Sequence, residues 1–350
     1  MRRHSEFELI ESLFAPLAMG FPGALGLKDD AALLDPPAGY SVVVTADAIV
    51  AGVHFRPDDP PDLIACKLVR VNLSDLAAMG AKPWVMVATM AFPDSASEEW
   101  ISCFATGLRQ ERQQFGIPLI GGDTLVTPGP ATFSLTAFGL VSQGMALRRS
   151  GAHPGDILYV TGTIGDGALG LQVLAGQLSF SDAESELAAH LINRYHLPQP
   201  RLTAGAGLVG MATACIDVSD GLLQDLTHLC QESGVGAQLV MKRLPLSPSA
   251  VAAIRQTPRW LEAIVSGGDD YELLFTAPPS TQEALEQLAR TTATAITEVG
   301  TIVAGGNGIN FNYEGTTLPF SRLGYQHFQA CYALPEGNEK GWVRIGSLTC

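Results

Sequence analysis

Lysine is scarce in this chain. Lys28, Lys67, Lys82, Lys242 and Lys340 are the whole set, and Lys+Arg reaches 21 against 35 Asp+Glu, a formal net charge of −14. So little positive charge leaves no basic footprint for nucleic acid. It also repels phosphates unless bound divalent cations reverse the local sign. Paired cysteines are missing too. Cys66, Cys103, Cys215, Cys230, Cys331 and Cys350 show no CxxC or CxxH spacing, which argues against zinc and fits reduced thiols in a cytoplasmic protein. No membrane-length apolar run occurs. The longest stretch without charge or His, Thr124 to Leu147, alternates Phe133, Leu135, Ala137 and Gly139 at strand period. The N-terminus, MRRHSEFELIESLF, lacks the apolar core of a signal peptide. No lysine has the glycines of GxxxxGK[ST] before it, which excludes a P-loop kinase, and no GxSxG marks a nucleophilic serine.

What is present is a folded chain of 350 residues, 47% hydrophobic and 16% charged. At roughly 150 residues per domain the length predicts about two domains. An amphipathic helix is expected over residues 5–19, a strand over 41–45, and a helix over 62–79 that Gly80 ends. A strand over 83–92, a helix over 98–115 and strands over 117–120 and 132–141 follow. The Gly/Pro-rich stretch Arg148–Asp156 reads as a domain boundary. Beyond it, strands are expected at 157–161, 212–216, 237–240, 272–276 and 298–303, with a helix over 222–232. Helical pattern runs to about Gly210, broken by Pro198 and Pro200. The mixture predicts an α+β fold with mixed sheets. The expected domains are residues 1–147 and 148–328, with 329–350 as a loose polar tail.

One pattern recurs: an apolar strand followed at once by aspartate beside Gly, Ser or Thr. It occurs at Asp30, Asp47, Asp123, Asp217 and Asp220. Asp75 instead sits near the end of a helix, with Asn72 one turn back on the same face. Strand ends gather at one sheet edge, where α/β folds place ligands. Carboxylates converging there would repel unless hard divalent cations joined them, and Mg2+ is the natural partner of phosphates. Asp beside Gly is also an ordinary turn or N-cap residue. In IDVSDGL one aspartate is expected to cap the following helix, leaving the other surplus. Three further features carry two readings each. Gly165, Gly167 and Gly170 match GxGxxG after a strand, as a dinucleotide fingerprint or, the favoured reading, a tight strand-to-helix turn. His54 between Val53 and Phe55 is a core histidine or a phosphate contact. Arg149 beside Arg148 is a solvated cation or a bidentate phosphate ligand.

Several segments occur together in order. They are KDDAAL from Lys28, TADAIVAGVHF from Thr45, VNLSDLAAMGA from Val71, LIGGDT from Leu119, RSGA from Arg149, IDVSDGL from Ile216 and SGGDDYEL from Ser266. Over roughly residues 5–328 the chain resembles the thiamine-monophosphate kinase family. The aspartate-ended strands alone are shared with the wider aminoimidazole-ribonucleotide synthetase-like superfamily. The resemblance implies two α+β domains, an N-terminal mixed sheet that pairs in a homodimer and a C-terminal α/β sandwich. It implies direct in-line phosphorylation of thiamine monophosphate to thiamine diphosphate by ATP, with several Mg2+ ions. Matched residue by residue, it implies metal positions at Asp30, Thr45, Asp47, Asp75, Asp123, Asp217 and Asp220. It likewise implies ATP contacts at Gly122, Arg149 and Ser219, and substrate contacts at His54 and Asp269. No covalent nucleophile or general base is implied, in keeping with chemistry that needs positioning and charge neutralisation.

Four positions depart from the family pattern. Lys28 stands for a glycine and is expected either to add a charge contact to phosphate or to block a positive φ there. Ala46 stands for a threonine, Asp269 for a glutamate, and Arg322 lies where an aromatic is common. The alternatives are another ATP-using member of the superfamily and a non-catalytic Mg-ATP-binding relic.

Overall fold

The computed structural model describes residues 6–305, 308–312, 323–325, 336–337 and 342–345. The chain divides into two compact units, Met1–Leu76 with Ala81–Gly144, and Ala77–Gly80 with Met145–Cys350.

The first unit is built on a four-stranded sheet of β1 (Tyr40–Val50), β2 (Lys82–Pro93), β3 (Leu119–Thr127) and β4 (Thr132–Ser142), in the order β1-β4-β2-β3. Only β2 and β3 run parallel. The segment before β1 is a broken helical stretch, not one helix: α1 (Glu6–Leu9), a π turn over Ile10–Phe14 and a 3-10 turn over Ala15–Ala18. Pro16 lacks the N–H that a continuous helix needs. Arg112 Nε donates to the Leu17 carbonyl at 2.7 Å and ties this segment to α3 (Glu98–Phe115). Helix α3 starts on Ser97, which accepts from Trp100 N, and stops on Gly116 in the left-handed conformation. Helix α2 (Pro61–Ala78) begins with Pro61 and Asp62, both suited to a first turn. Leu68, Val69, Leu73 and Leu76 on α2 are fully buried. Phe92, Trp100, Phe104 and Phe133 pack as one aromatic cluster, with the Phe104 and Phe133 rings 4.5 Å apart.

The second unit holds an eight-stranded sheet. Its strands are β5 (Ile157–Thr161), β6 (Ala214–Asp217), β7 (Gly236–Val240), β8 (Leu273–Ala277), β9 (Ile296–Val303), β10 (Ile309–Asn312), β11 (Glu336–Gly337) and β12 (Trp342–Ile345). The order is β11-β12-β10-β7-β9-β5-β8-β6, antiparallel throughout except for β7 against β10. Its helices are α4 (Asp166–Leu174), α5 (Ser185–His196), α6 (Leu202–Leu208), α7 (Leu222–Ser233), α8 (Pro248–Gln256), α9 (Trp260–Ser266) and α10 (Gln282–Thr292). Leu222, Leu226 and Leu229 of α7, Ile264 of α9 and Leu274 of β8 share one buried core. The stretch 329–350, expected as a loose tail, contributes the strands β11 and β12. No helix among the described residues is long and apolar enough to cross a membrane.

Candidate active site

In the first unit neither Asp47 nor Asp123 follows a strand; both lie within one, and Asp30 follows none, lying in a bend after the 3-10 turn Pro22–Leu27 and ahead of β1. β1 continues past Asp47 to Val50, and β3 continues past Asp123 to Thr127. The residues that follow, Ala48-Ile49-Val50 and Thr124-Leu125-Val126, keep strand chemistry, so each aspartate interrupts a strand without ending it. The register sets Asp47 in one row with Leu135, Ala88 and Gly122, and Asp123 in the next row with Thr89, Ser134 and Ala48. Asp47 and Asp123 thus stand on opposite edge strands, three inter-strand spacings apart along the sheet and one row out of step.

Each edge gathers its own oxygens. On β1, the Thr45 hydroxyl donates to Asp75 Oδ2 at 2.5 Å. The Asp47 backbone N–H donates to Asn72 Oδ1 at 3.0 Å, and Asn72 is itself oriented by donating to the Leu68 carbonyl. Asn72 and Asp75, one turn apart on α2, therefore present one face to β1. At the other edge, Asp29, Asp30, Gly121, Gly122, Asp123 and Thr124 line one cavity. Asp30 N donates to Asp29 Oδ1 at 3.0 Å. Gly122 is required by packing: a Cβ there would stand 1.9 Å from the Ala88 carbonyl oxygen of β2. Lys28 has φ −113°, so the lysine blocks nothing; the left-handed residues of that loop are Leu25, Gly26 and Leu27. Ala46 alternates to the face of β1 opposite Thr45 and Asp47. His54 is half-buried in the turn after β1, not in the core, and its Nδ1 accepts from Val50 N at 3.1 Å. The neutral ring therefore carries its proton on Nε2.

In the second unit Asp217 closes β6 and the chain turns through Ser219, Asp220 and Gly221 into α7. Neither aspartate of the pair caps that helix. Asp225, from inside the helix, instead braces the turn before it: Asp225 Oδ2 accepts from Asp220 N and Gly221 N, both at 3.1 Å. Burial, with Asp217 and Asp220 nearby, raises the Asp225 carboxyl well above its ordinary range. Asp220 Oδ2 accepts from Gln224 Nε2. Arg149 is exposed, and its backbone segment is pinned to the end of α7 by Ser233 Oγ. Burial lowers the pKa of half-buried His228; Arg149 lowers it further, while Asp220 opposes both. His228 thus reports Arg149 and Asp220 in one neighbourhood. Sequence reasoning passed over it, because a lone histidine inside a helix carries no signal.

Asp269 belongs to a strap, Gly267–Glu272, laid against the 217–221 turn. Asp269 N donates to the Ser219 carbonyl, Tyr271 N to the Val218 carbonyl, and Val218 N to the Glu272 carbonyl. Gly268, Asp269 and Tyr271 have φ of 73°, 66° and 54°. A non-glycine residue in such a conformation costs roughly 1–3 kcal/mol, least for Asp and Asn. That makes aspartate the better-tolerated carboxylate where the family has glutamate. The GxGxxG glycines are accounted for here without a nucleotide. Both Asp270 carboxylate oxygens accept from Gly165 N at 2.8 Å, so the anion site at the start of α4 holds the chain's own side chain. A Cβ at Gly167 would meet the Asp269 carbonyl at 2.0 Å, and one at Gly170 the Leu191 carbonyl at 2.1 Å. Arg322 lies outside the described residues.

Among the described residues no three His, Cys, Asp or Glu side chains are grouped so as to hold a metal ion. The four described cysteines, Cys66, Cys103, Cys215 and Cys230, are free thiols.

Residues 28–141 match the family of AIR synthase related protein, N-terminal domain, and residues 153–310 match its C-terminal domain. A thiamine-monophosphate kinase of Caulobacter vibrioides is 41% identical over 326 residues, covering 92% of this chain and 91% of its own. The Escherichia coli K12 thiamine-monophosphate kinase is 40% identical over 306 residues, covering 87% and 92%. Among solved structures, thiamine-monophosphate kinase from Stenotrophomonas maltophilia K279a superposes with TM-score 0.78 at 39% identity, covering 86% and 95%. AaThiL complexed with AMPPCP and TMP superposes with TM-score 0.73 at 26% identity, covering 94% and 99%. The hydrogenase maturation protein HypE of E. coli, at 19% identity and TM-score 0.70, shares the fold alone.

Proposed function

This chain belongs to the thiamine-monophosphate kinase family, and from that membership we propose that it transfers the γ-phosphoryl group of ATP to thiamine monophosphate, giving thiamine diphosphate and ADP. The observation that carries the reading is the match to such kinases along 92% of the chain, with the oxygen-rich family segments in place. AaThiL complexed with AMPPCP and TMP supports paired nucleotide and acceptor sites in this fold.

Phosphoryl transfer asks the protein for alignment and charge compensation, not for a covalent intermediate. Arg149 and Ser219 are assigned to ATP, with the Gly122 backbone where β2 and β3 approach closely. His54, whose Nε2 carries the proton in the neutral ring, is assigned to the acceptor phosphate. Asp269 is assigned to the cationic, amine-bearing remainder of the acceptor, where a carboxylate is favourable. The donors at Asp30, Thr45, Asp47, Asp75, Asp123, Asp217 and Asp220 are all hard oxygens, and Thr45 and Asp75 already touch. This donor chemistry fits Mg2+. Bound Mg2+ would supply the positive charge that the five lysines do not. The assembly is assigned as a homodimer through the N-terminal sheet, in the cytoplasm. Tyr40, Val42 and Val44, alternate residues of edge strand β1, support this: they are 50%, 37% and 56% exposed.

The test is turnover. The purified chain with ATP, Mg2+ and thiamine monophosphate is expected to form thiamine diphosphate. Tight ATP binding without turnover would contradict the reading and leave a nucleotide-binding relic. Asp269→Asn is expected to raise the KM for thiamine monophosphate and leave that for ATP nearly unchanged.

A further inference from the structure

The strap that carries Asp269 has two sides. Asp269 and Tyr271 are half-buried and hold left-handed backbone conformations, while Asp270 and Glu272 between and after them are buried. Each buried residue is an anchor. Asp270 takes the Gly165 N–H at 2.8 Å with both oxygens, and Gly167 N lies at 3.4 Å. Glu272 is fully buried and takes four side-chain donors. Arg201 Nε and Nη2 each donate at 2.6 Å, Arg194 Nη2 at 2.8 Å, and the Thr161 hydroxyl at 2.7 Å. Arg194 Nη2 also donates to the Asp270 carbonyl at 3.3 Å, so one guanidinium ties the two anchors together. Gly162 leaves room for the carboxylate, since a Cβ there would lie 2.1 Å from Glu272 Oε1.

A strand entering a sheet does not need a buried carboxylate held by two arginines, one of them forked onto it. Backbone pairing of β8 with β5 and β6 already holds residues from Leu273 onward. The strained stretch just before it lies outside that pairing and is held by its backbone bonds to Val218 and Ser219 and by the two buried carboxylates. We propose that Glu272, gripped by Arg201 and Arg194, is a positioning residue for the phosphoryl acceptor: it fixes the strap in the backbone conformation that presents Asp269, with Tyr271 beside it. This rests on the assignment of Asp269 to the acceptor. Strain persists only where surrounding structure over-determines it, and the Glu272 cluster adds to the backbone bonds from Asp269 and Tyr271 the side-chain part of that structure. Arginine suits the role because its planar fork fixes direction as well as charge, which a lysine does not.

The experiment is a double-mutant cycle read in steady-state kinetics with the full chain. Arg201→Lys keeps the charge and loses the fork. It is expected to raise the KM for thiamine monophosphate about 10-fold, with the KM for ATP within about twofold of wild type. Asp269→Ala alone is expected to raise the acceptor KM likewise. In the double variant the two effects should fail to multiply, because Arg201 acts through Asp269. Effects on acceptor KM that multiply, or an Arg201→Lys effect falling equally on both substrates, would overturn the positioning role and leave a structural ion pair. Should Asp269→Ala leave the acceptor KM unchanged, the assignment of Asp269 itself is wrong. Arg194→Lys reaches the same carboxylate from α5 and must repeat the result, which covers a failure of Arg201→Lys to fold.

Discussion

At the residue scale, Asp75 is the most informative side chain. Its Oδ2 accepts the Thr45 hydroxyl, so Asp75→Asn keeps a hydrogen-bonding partner in place and removes charge. The expected result is a loss of phosphoryl transfer of about 100-fold or more, with a melting temperature close to wild type. Asp123→Asn should behave in the same way. Near-normal turnover by either variant at saturating Mg2+ would remove that residue from the metal set. Gly122→Ala acts differently. A Cβ 1.9 Å from the Ala88 carbonyl forces β3 away from β2, so it should lower stability and activity together, measurable by thermal unfolding. The aspartates were legible in the sequence as residue types beside Gly, Ser and Thr. That neither Asp217 nor Asp220 caps α7 was not legible, because the turn before the helix is braced by Asp225 inside it, and only the folded turn brings that carboxylate back to Asp220 N and Gly221 N.

At the element scale, Asp225 offers a direct check. Asp225→Ala would leave two N–H groups of the turn without their acceptor, at a cost of roughly 1–3 kcal/mol. A fall in melting temperature of about 2–10 °C is expected. An unchanged melting temperature would mean that the turn is held elsewhere. Most element boundaries followed from periodicity and punctuation: Pro61 and Gly80 bracket α2, and Ser97 and Gly116 bracket α3. The strands β1 and β3 were read short because a charged residue inside an apolar run looks like its end. On an edge strand such a residue costs little, since one side of the strand is open. The glycines of the α4 turn show the converse. Their spacing matched a dinucleotide fingerprint, yet the close approaches of the Asp269 and Leu191 carbonyls account for Gly167 and Gly170. The carboxylate that fills the anion site comes from Asp270, over a hundred residues away in sequence. Arg194 and Arg201 gave no sequence signal at all, because nothing in a helical run marks an arginine as the partner of a distant glutamate.

At the scale of the whole molecule, an acidic chain with few lysines handles two phosphorylated substrates, so bound Mg2+ and a few arginines would have to supply the missing positive charge. The assembly is testable through β1. Val44→Glu sets a charge on the exposed apolar row of that strand and should shift the protein from dimer to monomer in light scattering, whereas a wild-type-like mass would exclude that face. Mg-ATP should raise the melting temperature by mass action on the folded state and Mg-NAD should not. The central claim is transfer of the γ-phosphoryl group of ATP to thiamine monophosphate. ATP labelled in its γ-phosphoryl group, incubated with Mg2+, thiamine monophosphate and the protein, should place the label in the terminal phosphate of thiamine diphosphate, one ADP forming per product, as read by phosphorus NMR. Label released as inorganic phosphate, or ADP formed without thiamine diphosphate, would contradict it.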